Sequence, residues 1–380
     1  MSRTIVDIHV LQTVPPSNLN RDDTGSPKTA TYGGVRRARV SSQAWKRAIR
    51  TAFASGLGQS ELGVRTKRVV EVLAERIRDR APELADRAEE LAKATVNVAG
   101  IKTTASSKGN AEESSYLVFL SSRQYDNLAA AAVIAADQVD VNAALKAQDV
   151  KTLANRDHSV DVALFGRMVA DISDINVDAA VQVAHAISVH GVENEYDYFT
   201  AVDDRKQESD ETGAGMIGTV EFNSATLYRY GTLDVDALMT SLGDATATRR
   251  AAEAFVRAFV TSMPTGKMNT FANRTLPDAV VVQLRDTQSV NFVGAFEEPV
   301  VADSTSGRVP LASKKLAGYA TQIEDKYAQR PLASWVVRVG DATDALSALG
   351  SDVSLPELIE NVGDQISTRI GEIPRLGETA

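Results

Sequence analysis

Between Val35 and Arg50 the chain reads VRRARVSSQAWKRAIR, six arginines and lysines in one short stretch with no acidic residue among them. Positive charge collected in this way predicts a surface where water or an anion meets it, because unpaired cations are costly to bury. The rest of the chain has the opposite character. The first fifty residues carry nine basic and three acidic side chains, the remainder 32 and 47, and the whole has a net charge of −9. An acidic protein is a poor general ligand for polyanions, but a local excess of Lys and Arg keeps a phosphate backbone in view as the partner of this one segment.

From Ser41 onward the spacing predicts a helix. Ser41 or Ser42 can cap it, and Trp45, Ala48, Ile49, Ala52 and Phe53 recur at i, i+3, i+4, i+7 and i+8 as one apolar stripe, with Gly56 as a stop. Lys46, Arg47 and Arg50 fall on the opposite side. Lys46 and Arg50 stand one turn apart, where like charges repel by about 0.2–0.5 kcal/mol, and cations in a first turn oppose the helix dipole. A polyanion across that face removes both penalties.

A chain of 380 residues has room for two or three lobes. It contains no cysteine, which rules out disulfides, thiolate chemistry and Cys-based zinc or iron–sulfur sites. Residues 1–10 alternate as a strand, with Val6, Ile8 and Val10 on one face and Asp7 and His9 on the other. They lack the apolar stretch of a signal peptide, and no run of about 18 apolar residues occurs. These features lead us to expect a soluble cytoplasmic protein without a membrane partner.

Further along, Pro15 to Gly25 reads as a polar loop, and Glu61 to Asn142 as mostly helical, with a charged amphipathic stretch at Arg68–Ala92 and an Ala-rich one at Leu128–Asp137. A helix is expected at Asp178–Val189. Strands are expected at Tyr196–Val202 and Met216–Phe222, joined by a long charged loop as a protruding hairpin. Beyond these come a strand at Thr226–Tyr230, a helix at Thr248–Ser262, a Pro264-Thr265-Gly266-Lys267 turn, and strands at Ala279–Leu284 and Trp335–Val339.

Catalytic chemistry is hard to find. The nearest histidine pair, His185 and His190, has i, i+5 spacing, which does not put two rings on one helical face as a zinc motif requires. His9 and His158 stand alone. Asp22-Asp23 and Asp203-Asp204 have the residue type for Mg²⁺, yet adjacent carboxylates in polar loops are usually solvated or capping groups. There is no Walker A sequence, and the glycines at Thr212–Gly218 approach a GxGxxG spacing only with one glycine shifted.

A collinear series of motifs is more specific. Asp7-Ile8-His9-Val10-Leu11, Leu19-Asn20-Arg21-Asp22-Asp23, Gly33-Gly34 with Arg36-Arg37, Ser41-Ser42-Gln43 with Lys46-Arg47-Ala48 and Arg50 come first. Val160-Asp161-Val162-Ala163-Leu164 with Gly166-Arg167-Met168, Ala184-His185-Ala186-Ile187, Phe199 to Asp204, Gly218-Thr219 with Glu221-Phe222, and Tyr228-Arg229-Tyr230 follow in order. In these residues the chain resembles the backbone (CasC-type) subunit of the type I-E CRISPR Cascade surveillance complex.

The resemblance implies an α+β fold: a modified RRM-like (ferredoxin-like) palm, an inserted helical fingers domain and a protruding thumb β-hairpin. On this chain the palm would comprise residues 1–58 and 225–380 with a connection at 183–195, the fingers 59–182 and the thumb 196–224. It also implies a non-catalytic protein without cofactor or metal that polymerises along CRISPR guide RNA. Its partners would be the guide, the target DNA strand through the guide hybrid, copies of itself and other Cascade subunits. The guide backbone would meet Arg21, Lys28, Arg36, Arg37, Arg39, Ser42, Gln43, Lys46, Arg50 and Lys267. Met168, Phe199 and Arg167 would serve the thumb wedge that segments the guide–target hybrid, and Lys146 and Lys151 would meet the target strand. Related backbone proteins of type III complexes cut RNA with a loop aspartate, so a metal-dependent ribonuclease using Asp22 or Asp23 is the alternative, and a scaffold binding only protein is a further one.

Overall fold

The computed structural model describes residues 3–58, 61–105, 112–167, 176–201, 216–302 and 304–372. The chain divides into two compact units, one made of Met1–Ala52, Val183–Thr232 and Phe255–Glu372, the other of Phe53–Gln182 and Leu233–Ala254. It is an α+β protein whose largest element is a ten-stranded mixed sheet.

The sheet's strands, in chain order, are β1 (Ile5–Ser17), β2 (Thr29–Tyr32), β3 (Val35–Val40), β4 (Val181–Val183), β5 (Ala186–Ser188), β6 (Glu195–Ala201), β7 (Met216–Asp234), β8 (Ala279–Arg285), β9 (Ala333–Arg338) and β10 (Ser351–Asp352). Along the sheet they run β10-β9-β8-β1-β7-β5-β3-β2, with β4 and β6 pairing with β7 off this path. β1 and β8 pair antiparallel from Ile5↔Arg285 to Leu11↔Ala279. The β9–β10 pair is parallel.

β1 is central, and this explains its composition. Ile8 and Val10 are fully buried as their alternation predicts, but Asp7 and His9 on the other face are buried as well, at 0% and 1% exposure. That face joins the core formed by Leu11, Tyr228, Val281, Phe292, Phe296 and Leu316. The Asp7 carboxylate is satisfied internally, as burial requires. Asp7 Oδ2 accepts from Arg285 Nε at 3.0 Å and from the Val290 amide at 2.9 Å, while Oδ1 accepts from the Tyr230 hydroxyl at 2.7 Å.

One tight turn and a pair of short strands shape the region around the basic segment. β2 and β3 form a hairpin with Tyr32 opposite Val35, closed by Gly33 and Gly34 at φ 59° and 78°. A two-residue loop with both φ values positive is the turn whose twist matches the strands it joins. Gly33 is also held by space, since a Cβ there would lie 1.6 Å from the Glu297 carbonyl oxygen. The helix expected at Asp178–Val189 is instead β4 and β5, because the sheet between β3 and β7 is completed by β5, with Ile187 opposite both Arg39 and Tyr228. Tertiary pairing has overridden local propensity here.

The helix expected at Thr248–Ser262 spans Ala245–Thr261, and the strands expected near Ala279 and Trp335 are β8 and β9. The segments expected as two strands around 196–202 and 216–222 pair antiparallel as β6 and the start of β7, Glu195 opposite Phe222 through Ala201 opposite Met216.

The second unit has its own core. Helices Val69–Arg80, Ala88–Val98 and Ser122–Ala135 bury Leu73, Ile77, Leu91, Val96, Leu128 and Ala132. The stretch from Glu61 to Asn142, expected to be mostly helical, also holds two small antiparallel ribbons, Gly63–Thr66 with Val118–Ser121 and Thr103–Ala105 with Glu112–Ser114. The Ser122–Ala135 helix starts at a capping box between Ser121 and Gln124. Among the described residues no helix is long and apolar enough to cross a membrane.

The buried histidines carry a pH consequence. His9 Nδ1 bonds the Tyr228 hydroxyl at 2.9 Å, its ring stacks on Phe292 with centroids 4.4 Å apart, and its buried Nε2 has no partner. Burial holds His9 well below its ordinary 6.5, helped by the Arg285 charge, and pushes His158 down to about 4. Histidines kept neutral by folding take up protons more readily when unfolded, so their stabilisation is complete above about pH 6.5 and is lost as the pH falls toward 4. We expect the melting temperature to fall across that window. His9→Phe, which keeps the stack but takes no proton, should flatten the fall in a calorimetric pH series; an unchanged slope would exclude His9 as a cause.

Candidate nucleic-acid interface

The basic helix, α1 (Ser42–Phe53), is set on the sheet by two residues of its apolar stripe, Trp45 and Ile49, which are 1% and 0% exposed. Ser41 caps it: the Ala44 amide donates to Ser41 Oγ at 3.3 Å. Trp45 does more than fill space. The guanidinium of Arg229, on β7, lies 3.7 Å from the centre of its indole ring and 4.9 Å from that of Phe259. Arg229 is 2% exposed, donates to Gln12 Oε1 at 2.6 Å and to the Phe259 carbonyl, and burial pushes it down to about 9. A buried cation between two aromatic faces recovers from their quadrupoles part of what it loses in water. In the alternation of β7, Tyr228 and Tyr230 face the His9 core while Arg229 faces α1.

With its apolar side fixed, α1 turns Gln43, Lys46, Arg47 and Arg50 outward along one face, Gln43 and Arg47 exposed, Lys46 and Arg50 half-buried. Lys46 has no hydrogen-bond or ion-pair partner among the described residues. Its ammonium is held below the ordinary lysine value by burial alone. Charge is therefore presented partly desolvated and uncompensated, the condition under which an incoming anion gains most.

Other predicted residues gather at the start of this helix. Asn20 Oδ1 accepts from the Ser41 amide at 2.9 Å, and the Asn20 carbonyl accepts from the Lys28 amide at 2.9 Å, so the loop carrying Arg21 and Lys28 is tied to the helix cap beside Ser42. Arg39 donates to the Thr29 carbonyl at 3.2 Å and to His185 Nδ1 at 3.1 Å. His185 is depressed by burial, then by Arg39 and Lys28. Lys267 reaches the same place through a contact only glycine permits, since a Cβ on Gly266 would lie 2.2 Å from the Leu19 carbonyl oxygen. Lys267 itself is left-handed at φ 50°.

Asp22 is exposed in this loop, with one carboxylate oxygen engaged by its own neighbours. Oδ1 accepts from the Thr24 hydroxyl at 2.7 Å and from the Thr24 and Ser26 amides at 3.0 Å each, and the Thr24 hydroxyl bond leads the causes that lower its pKa. Asp23 is exposed. Among the described residues no three His, Asp or Glu side chains gather as a metal site.

Two arginines depart from expectation. Arg37 is fully buried, and its guanidinium donates to the carbonyls of Tyr32, Ser188, Phe296 and Glu297 at 2.9–3.1 Å. With its donors spent on backbone it is a strut of the hairpin and not a surface for RNA. Arg167 is 4% exposed and donates to the Phe119 and Ala154 carbonyls and to Asn155 Oδ1. Burial pushes it down to about 10, and it too is a strut rather than part of an exposed wedge. Arg36, by contrast, is exposed near the start of β3.

Phe199 is 42% exposed on β6, opposite Gly218. A Cβ on Gly218 would come within 2.3 Å of its ring, so the ring lies across the glycine and is braced by the missing side chain. Met168 lies outside the described residues. Lys146, in the helix Val141–Ala147, and Lys151, in the helix Val150–Leu153, are both exposed on the second unit. The sequence reading missed the β2–β3 hairpin, which the Gly33-Gly34 pair between two β-branched stretches signals, and missed Arg229 as the anchor of α1, for which Tyr-Arg-Tyr in a strand was the only sign.

A family described as CT1975-like protein has a model that matches residues 6–361. Among solved structures, a chain of a "CRISPR RNA-guided surveillance complex, pre-nicking" is 37% identical, with 95% of this chain and 100% of that one covered and a TM-score of 0.83. A chain of another "CRISPR RNA-guided surveillance complex" is 32% identical over 95% of this chain and 99% of its own, with a TM-score of 0.73. No curated protein sequence matches significantly.

The burial of Arg37 separates it from its neighbour experimentally. Arg37→Ala leaves four carbonyls, those of Ser188 and Phe296 in buried contacts, short of a donor and should lower stability by about 2–4 kcal/mol, whereas Arg36→Ala should stay within about 0.5 kcal/mol of wild type. Chemical denaturation of the two variants checks this, and equal losses would contradict the assignment.

Proposed function

This chain belongs to the CT1975-like protein family, and from that membership we propose that it is the non-catalytic backbone subunit of a type I-E Cascade complex, polymerising along CRISPR guide RNA in antiviral defence. The observation that carries the reading is the outward face of α1, where the half-buried Lys46 has no counter-charge of its own. Arg50 stands one turn further on, and Arg21, Lys28, Arg39, Ser42, Gln43 and Lys267 surround the helix start. Such a face holds phosphates and reads no bases, which suits a subunit that accepts any guide sequence. Likeness to chains from RNA-guided surveillance complexes supports the same partner and assembly with copies of itself and other Cascade subunits.

On this reading the sheet-bearing unit is the modified RRM-like palm, residues 59–182 are the fingers, and residues 196–224 are the thumb. Phe199 offers an aromatic face pre-set over Gly218 for wedging between nucleotides, a step that costs a few kcal/mol of stacking. Arg167 fixes the backbone from which Met168 departs, acting on the wedge through position alone. Lys146 and Lys151 are the candidates for the target strand. The ribonuclease alternative draws no support from Asp22, whose Oδ1 is occupied within its own loop.

The test is binding of single-stranded RNA across a salt series. Lys46→Ala/Arg50→Ala should weaken binding at low salt and reduce the slope of log affinity against log salt by about 1.4, two phosphate contacts on a single strand. An unchanged slope would remove α1 from the interface, and shortened RNA after incubation would bring the nuclease alternative forward.

A further inference from the structure

Near the start of β3, and toward the other end of that strand from Arg39, a cleft of about 730 Å³ opens. Arg36, Glu193, Glu195 and Arg308 line it, all four exposed. Among the described residues none of them makes an ion pair or a side-chain hydrogen bond. Two cations and two anions thus line one concavity without pairing with each other. Arg308 is the first residue of the helix Arg308–Lys326, where the helix dipole adds to its positive charge rather than compensating it.

The floor is rigid and neutral. His190 is 3% exposed, with Nδ1–H donating to the Gly191 carbonyl at 2.7 Å and Nε2 accepting from the Thr226 amide at 3.1 Å. Both nitrogens are engaged, so the ring is a fixed wall and not a further charge. The apolar lining is limited to Val35 and Val192. A protein partner would be expected to bring an aromatic or aliphatic anchor to the centre of its interface, and beyond these two valines the cleft has no apolar lining to receive one.

We propose that this cleft is a ribose-reading subsite for single-stranded RNA, with Arg36 and Arg308 on a backbone phosphate and Glu193 and Glu195 accepting hydrogen bonds from a ribose 2′-hydroxyl. Guanidinium groups match phosphate oxygens in geometry as well as charge. A carboxylate is the usual acceptor for a ribose hydroxyl, and the 2′-hydroxyl is the group by which a protein separates RNA from DNA. The volume lies within the roughly 300–1,000 Å³ of small-ligand sites, room for one nucleotide unit. The subsite rests on the RNA-binding reading above and adds to it: α1 holds any polyanion, while the cleft selects the sugar. A deoxyribose strand would bring its phosphate to the arginines but leave the carboxylates facing a C–H edge, uncompensated and close to a second negative charge.

The experiment compares a mixed-sequence oligoribonucleotide with the same sequence as DNA on the full-length protein. Four variants are measured beside wild type: Glu193→Ala/Glu195→Ala, Glu193→Gln/Glu195→Gln, Arg308→Ala, and Lys46→Ala/Arg50→Ala. Wild type should prefer RNA by about tenfold, the value of one hydrogen bond to a charged group. The double alanine variant should bring that ratio close to one, chiefly by raising affinity for DNA, since it removes the negative charge that a deoxyribose strand leaves uncompensated. The glutamine variant, which keeps an acceptor oxygen, should retain part of the ratio. Arg308→Ala should weaken both strands alike. The α1 variant should lose affinity at an unchanged ratio, so a failure of the RNA-binding reading appears there or as no binding by wild type at all. The subsite is overturned if the double alanine variant keeps the wild-type ratio, or if it alters self-association in sedimentation and leaves the ratio intact, which would make the cleft a contact between copies.

Discussion

One buried guanidinium holds the arrangement together. Arg229 has no acidic partner among the described residues, and its Nε has none of any kind; it is held by two aromatic faces, the Gln12 side chain and one carbonyl. Trp45 is one of those faces and also the residue by which α1 is seated on the sheet. The orientation of the basic helix is thereby coupled to the satisfaction of a charge that would otherwise be very costly to bury. Rolling α1 by even part of a turn would withdraw the indole and strand the cation, so the outward face of Lys46 and Arg50 is fixed by a contact on the opposite side.

Arginine is used in two ways here, divided by burial. Arg37, Arg167, Arg229 and Arg285 are all under 5% exposed; Arg37 and Arg167 spend their donors chiefly on backbone carbonyls, while Arg229 adds Gln12 to one carbonyl and Arg285 adds Asp7, Gln283 and Glu324 to another. Each ties segments distant in sequence, a task suited to a planar group with five donors in a fixed fork. Arg36, Arg47 and Arg308 remain exposed and have their charge to spare. Neighbouring positions, Arg36 and Arg37, fall in opposite classes because successive strand residues point to opposite faces.

The loop from Asn18 to Lys28 and the hairpin of β6 and β7 are joined by a second set of polar contacts. Ser26 donates to Glu221 Oε1 at 2.9 Å and Asn18 donates to the Glu221 carbonyl at 2.9 Å, while Phe222 meets Phe271 with ring centroids 5.7 Å apart. The segments carrying Arg21, Lys28, Lys267 and Phe199 are therefore linked by direct contacts through Asn18, Ser26, Glu221, Phe222 and Phe271.

The sequence by itself determined the family, through motifs in fixed order over more than half of the chain, and it determined α1, because an apolar stripe at helical spacing with cations opposite has one stable solution. It also marked β8, β9 and the helix at Ala245–Thr261, whose patterns were strong enough to survive any packing. The tertiary structure decided the rest. Asp178–Val189 became two strands because the sheet lacked a partner between β3 and β7, and pairing across the sheet outweighs local preference. Asp7 and His9 were buried because β1 became central, which its own alternation does not reveal. Arg37 could be told from Arg36 only once the carbonyls of residues 296 and 297 had been brought to it from over 250 positions away. Local propensity is written in neighbouring residues, but burial and the partner of a charge depend on what the rest of the chain brings alongside.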